Sequence, residues 1–156
     1  MENNFTRNVS FFRFEDLRVY NKALDYADWV ATATQDLSQS QTNFIAVRFN
    51  TAAQAIAFYI AEGSSRNKNH FVYYLKLAKS SLRECVILTS VLDKQGVFSE
   101  QMVELSRNQL IELMKMIAAL MSSIQKTIKK TPPVHHNPNE QEEELEFADQ
   151  PNLRKY

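Results

Sequence analysis

Residues 67–96 read NKNHFVYYLKLAKSSLRECVILTSVLDKQG. Phe71, Leu75, Ala78, Leu82, Cys85, Thr89 and Leu92 recur at alternating spacings of three and four, which marks one stripe of an α-helix. Asn67 stands where an N-cap side chain accepts from the first turn, and Gly96 follows the last turn. The stretch therefore predicts one long helix from near Asn67 to about Lys94, apolar on one side and in need of a partner there.

The sequence on either side follows the same grammar. No proline precedes Pro132, and the two glycines, Gly63 and Gly96, both sit where a left-handed C′ residue would close a helix. A first helix is expected from about Glu15 to Thr34, with a stripe of Leu17, Tyr20, Leu24, Ala27, Ala31 and Thr34. Asp36, Ser38 and Ser40 break it, and a second helix is expected from about Thr42 to Glu62. A fourth starts after Ser99, an N-cap with Glu100 in the first turn. It runs through Val103, Ser106, Leu110, Leu113, Ile117, Leu120 and Ile124 to Lys129 and Lys130, before Pro132 and Pro133 forbid continuation. Four helices with short connections predict an all-α fold, an antiparallel up-down-up-down four-helix bundle. The expected organisation is an N-terminal arm over residues 1–13, the bundle over 14–130, and a Pro-containing linker with an acidic, disordered tail over 131–156.

The second helix has two apolar faces. Ile45, Phe49, Ala52, Ile56 and Ile60 form one, the expected core face. Phe44, Val47, Thr51, Ala55 and Phe58 form the other, separated by a narrow polar strip of Asn43, Asn50 and Gln54. Ordinary exposed apolars touching the arm would account for the second face, and so would a subunit interface. The interface reading predicts a homo-oligomer.

Composition bounds the rest. The lone Cys85 excludes a disulfide framework within one chain and fits a reducing, cytoplasmic setting. Met1 to Ser10 has no signal-peptide apolar core, and no apolar run reaches the roughly 18 residues of a membrane span, so no membrane association is expected. The formal net charge is zero, yet residues 1–130 hold 16 Lys and Arg against 12 Asp and Glu, while residues 131–156 hold 2 against 6. A basic body carries an acidic tail.

Catalysis needs convergent groups, and none is legible. His70, His135 and His136 have no metal-ligand spacing, Cys85 lies on an apolar stripe, and there is no Gly-rich phosphate loop. No enzyme, cofactor, metal or small-molecule substrate is expected. Lys68, Lys76, Lys79 and Arg83 fall within an arc of about 80° on the third helix, and Lys115, Lys126 and Lys130 share an outer face of the fourth. These rows are either a solvated face or candidate phosphate contacts for RNA or DNA. Glu62 beside Gly63 is either an exposed acid or an acceptor that holds the turn between helices two and three with Arg66.

The ordered set of Phe14-Glu15-Asp16-Leu17-Arg18-Val19, Ile60-Ala61-Glu62-Gly63, Arg66, Phe71 and Ser81-Leu82-Arg83-Glu84 resembles the four-helix-bundle family encoded in intervening sequences of bacterial 23S ribosomal RNA genes. The resemblance spans about residues 14 to 125. It implies a compact bundle, often in a ring-shaped homopentamer; similar bundles accompany reverse transcriptases, with nucleic-acid and polymerase binding as the proposed role. Where that family carries a basic pair and a helix-kinking proline, this chain has Asn50-Thr51 and Ala57, so the second helix is expected to be straighter.

Overall fold

The computed structural model describes residues 11–39 and 43–130; most of the arm and the whole linker and tail lie outside the described residues. Within them the chain is all-α, with four helices and no strand: α1 (Arg18–Ala33), α2 (Asn43–Ser64), α3 (Lys68–Lys94) and α4 (Glu100–Lys130). Short 3-10 turns at Arg13–Asp16 and Gln35–Gln39 precede and follow α1.

Local chemistry sets the boundaries. The Asn67 side chain accepts from His70 N–H at 3.0 Å and starts α3, and the Ser99 hydroxyl accepts from Met102 N–H at 3.2 Å to start α4. Gly96 has φ 68°, and the chain reverses there through Val97 N–H to Leu92 C=O at 2.9 Å. Gly63 behaves differently from the expectation of a left-handed cap. It is buried inside α2, and only Gly96 among the described residues has positive φ. Gly63 is required by close approach: a Cβ there would lie 2.7 Å from Phe71 Cδ2 and 2.7 Å from Tyr74 Cβ on α3.

Two further expectations are corrected in α1. The helix starts at Arg18, not Glu15, because Leu17 is extended and the Asn21 amide donates to the Glu15 and Leu17 carbonyls at 2.8 and 3.1 Å, holding the chain in a tight entry turn. The buried stripe is Val19, Ala23, Tyr26 and Val30, while Leu24 and Ala31 face outward. Both stripes are apolar and lie about 100° apart on the helix. The sequence alone favoured the one rich in Leu and Tyr; the fold buries the one whose Tyr26 hydroxyl meets Ser106 on α4.

Cross-helix contacts run in opposite senses along each pair. Lys22 meets Glu112 at 3.3 Å and Tyr26 meets Ser106 at 3.0 Å, so α1 and α4 are antiparallel. Arg48 meets Glu84 at 2.6 Å, while Gly63 meets Phe71, so α2 and α3 are antiparallel. Thr89 meets Ser106 at 2.7 Å, and Leu82 shares a groove with Met114, which orders α3 and α4 in the same way. The core stripes expected on α2, α3 and α4 are buried, except that Val103 is half-buried. α2 runs unbroken through Ala57. Asn50 donates to the Thr34 hydroxyl at 2.9 Å, and that hydroxyl donates in turn to Val30 C=O at 2.8 Å, tying α2 to the end of α1.

By length and composition α2 is apolar enough to cross a membrane, contrary to the expectation that no such run exists. Its Ile45, Phe49, Ile56 and Ile60 belong to the shared core, which is why a bundle helix with two apolar faces passes that measure.

Candidate nucleic-acid interface

The α3–α4 hairpin is polarised by charge along its length. Residues 68–83 contain Lys68, Lys76, Lys79 and Arg83 and no carboxylate; residues 113–130 contain Lys115, Lys126, Lys129 and Lys130 and no carboxylate. The antiparallel register set by Thr89–Ser106 and Leu82–Met114 lays these two acid-free segments side by side. Between them lies the turn-proximal stretch 84–112, with five carboxylates (Glu84, Asp93, Glu100, Glu104, Glu112) against two cations (Lys94, Arg107). One end of the hairpin is therefore densely cationic and the other acidic.

Lys76, Arg83, Lys115, Lys126, Lys129 and Lys130 are exposed, and Lys68 and Lys79 are half-buried along their stems. At about 100° per residue, Lys68, Lys79 and Arg83 lie on the flank of α3 that carries Val86, which lines the groove toward α4. On α4, Lys129 shares the flank of Ile111, Lys115 and Lys126 lie about 40° and 60° further round, and Lys130 about 100°. No ion pair among the described residues engages any of the eight. Mutual repulsion among eight such ammonium and guanidinium groups is relieved by polyanions, with counterion release as the driving force.

Sequence reasoning found seven of the eight but treated the helices separately and passed over Lys129. The signal was present: two acid-free segments on helices joined by a short turn must meet when the turn folds.

The second apolar face of α2 is turned to solvent. Phe44, Val47 and Phe58 are 71, 60 and 69 % exposed, Thr51 is exposed and Ala55 half-buried. Ala31 of α1 lines a groove with Val47 and Thr51 of this face, and Leu24 of α1 is also exposed. At the turn between α2 and α3, Arg66 donates from Nε to Glu62 Oε1 at 3.0 Å and pairs with it through Nη2. Arg66 N–H also bonds Gly63 C=O at 3.1 Å. Glu62 thus accepts from Arg66 across the turn, and both side chains are exposed.

Cys85 is fully buried, and its removal from water pushes the thiol up to about 12, with the Glu84 charge adding to the rise. Burial likewise raises the Tyr26 phenol, whose hydroxyl is held by Ser106. Both groups stay protonated at neutral pH and pack as core. Among the described residues no group of His, Cys, Asp and Glu is placed to hold a metal ion; His135 and His136 lie outside them.

Residues 15–119 match the model of the 23S rRNA-intervening sequence protein family. The chain belongs to that family. No curated protein matches it. The intervening-sequence match covers α1, α2 and α3, and stops within α4 before Lys126, Lys129 and Lys130 and before the acidic residues past 131.

Proposed function

We propose that this intervening-sequence protein is a non-enzymatic, self-associating bundle that binds nucleic acid through the cationic end of its α3–α4 hairpin and serves as a binding or scaffold module in the cytoplasm. The observation that carries the reading is the alignment of the acid-free segments 68–83 and 113–130, which gathers eight cations on one end. The exposed aromatic Tyr73 lies to the side of that row and stacks edge-on against Tyr74 at 5.6 Å. Recognition then rests on phosphates, without base reading.

The test is binding of a 20-base-pair RNA duplex by fluorescence anisotropy across a salt series. Affinity should fall steeply with salt, and Lys76→Gln, Lys79→Gln and Lys126→Gln combined should reduce the slope by about 2 to 3. Binding that is insensitive to salt, or a triple variant with an unchanged slope, overturns it.

A second reading is favoured by the outer face of α2. Phe44, Val47 and Phe58 form an apolar surface too contiguous to be left in water at no cost, and a second copy or an adaptor partner would cover it. A homopentamer is what the family resemblance implies. Light scattering at micromolar concentration tests self-association: a monomer that persists to high concentration removes it and leaves the adaptor role.

A further inference from the structure

We propose that the acidic segment 131–156 docks on the cationic end of its own α3–α4 hairpin and competes there with polyanions. The competition rests on the nucleic-acid reading of that end; the docking does not. Charge complementarity is the first argument. The segment holds six carboxylates against two cations, five of the six being Glu140, Glu142, Glu143, Glu144 and Glu146, and the proposed docking site holds eight cations on two segments without a carboxylate.

Attachment is the second argument. The segment leaves the bundle at Lys130, the last residue of α4 and a member of the cationic group. α3 begins at the same end, because α3 and α4 are antiparallel. From Lys130 to Glu140 the chain can reach about 33 Å when extended. The acid-free stretch of α3 from Lys68 to Arg83 is about 22 Å long. Each of the eight cations of that end therefore lies within range of the glutamate cluster. Such a short tether gives the cluster an effective concentration in the millimolar range, so weak ion pairs suffice to occupy the site.

The experiment uses the full chain. Carbodiimide joins a carboxylate to an amine only when the two are in contact, and mass spectrometry of the product should place Glu140–Glu146 against Lys68, Lys76 and Lys79. These lysines lie on a different helix from the attachment point, so sequence proximity does not explain a link. The links should fade at high salt, and an equal mixture of isotope-labelled and unlabelled chain should show them within single copies. In parallel, a full-length variant with Glu140, Glu142, Glu143, Glu144 and Glu146 all changed to Gln should bind the RNA duplex about tenfold tighter at 50 mM salt, with the gap closing as salt rises. Absence of links to α3 together with unchanged affinity overturns the proposal, as do links that form only between copies. Links to α3 with no RNA binding by either protein would overturn the nucleic-acid reading and leave the docking standing.

Discussion

Replacing Gly63 by Ala should destabilise the bundle even though the position lies inside a helix. Helix propensity argues the other way, because Ala is better than Gly by about 1 kcal/mol in a helix interior. The new methyl would lie 2.7 Å from Phe71 Cδ2 and from Tyr74 Cβ, against an ordinary carbon–carbon contact of roughly 3.5 to 4.0 Å. Phe71 is fully enclosed, and Tyr74 Cβ is fixed to its backbone, so neither atom can swing aside. α2 and α3 must part instead, loosening the core that Ile60, Phe71 and Leu75 share. Overpacking costs about 1 to 3 kcal/mol, and two contacts that cannot yield place Gly63 at the upper end, about 2 to 3, so a net loss of about 1 to 2 kcal/mol remains after the propensity gain. For a bundle of this size the melting temperature should fall by about 3 to 10 °C, measured by circular dichroism at 222 nm. Gly96 supplies the control. Its φ of 68° lies in the left-handed region and a Cβ there would meet nothing within 4 Å. Gly96→Ala should therefore cost about 1 kcal/mol through backbone conformation alone, and Gly96→Asn should recover most of it. Gly63→Asn should be worse than Gly63→Ala. A rise in melting temperature for Gly63→Ala, or a rescue by Asn at 63, would refute the reasoning.

Alkaline pH should weaken the fold through Cys85. Its thiol titrates near 9 when unfolded and near 12 when buried, so at pH 7 both states hold the proton and no penalty exists. Above 9 the unfolded chain releases its proton first, and stability falls until the native thiol titrates. Urea midpoints between pH 7 and 11 should show that decline, and Cys85→Ala should make it shallower whatever packing it loses; an unaltered slope would count against the burial argument. The Tyr26, Thr89 and Ser106 hydroxyls meet at 3.0 and 2.7 Å in the core. A double-mutant cycle of Tyr26→Phe with Ser106→Ala should therefore give a coupling of about 0.5 to 1.5 kcal/mol, where simple additivity would mean the hydroxyls do not cooperate. On the outer face of α2, Phe58→Glu with Val47→Glu should shift light scattering toward a smaller species while the helical signal persists. A particle of unchanged mass would place any self-contact elsewhere.

The fold was legible because α3 and α4 each carry a single dominant apolar stripe, and because proline is absent where it would interrupt any of the four helices. α1 was harder to phase. Its two ridges are similar in hydropathy, and what separates them is a hydroxyl on a helix some 80 residues away. The role of Gly63 was misassigned for a related reason. A glycine just before a turn reads as a cap from sequence, while the ring of Phe71 pressed against it belongs to tertiary packing. The candidate interface was half legible: each cationic row could be read from its own helix, but their alignment on one end emerges only when the turn at Gly96 brings α3 and α4 together.

That alignment makes zero net charge a poor guide to how the molecule moves in solution. α4 alone spans about 46 Å, and the charges on the hairpin are sorted toward its two ends, so the α3–α4 hairpin by itself is an electric dipole on the scale of a rod. An approaching polyanion exerts a torque before it makes contact, turning the Lys68–Lys130 end forward and the Asp93–Glu104 end away. Encounter would then be pre-oriented whenever the acidic segment 131–156 is off that end, and its rate should drop with added salt. Copies associating side by side through α2 with their axes parallel would add these dipoles, giving the assembly one cationic rim and one anionic rim, with only the first open to nucleic acid.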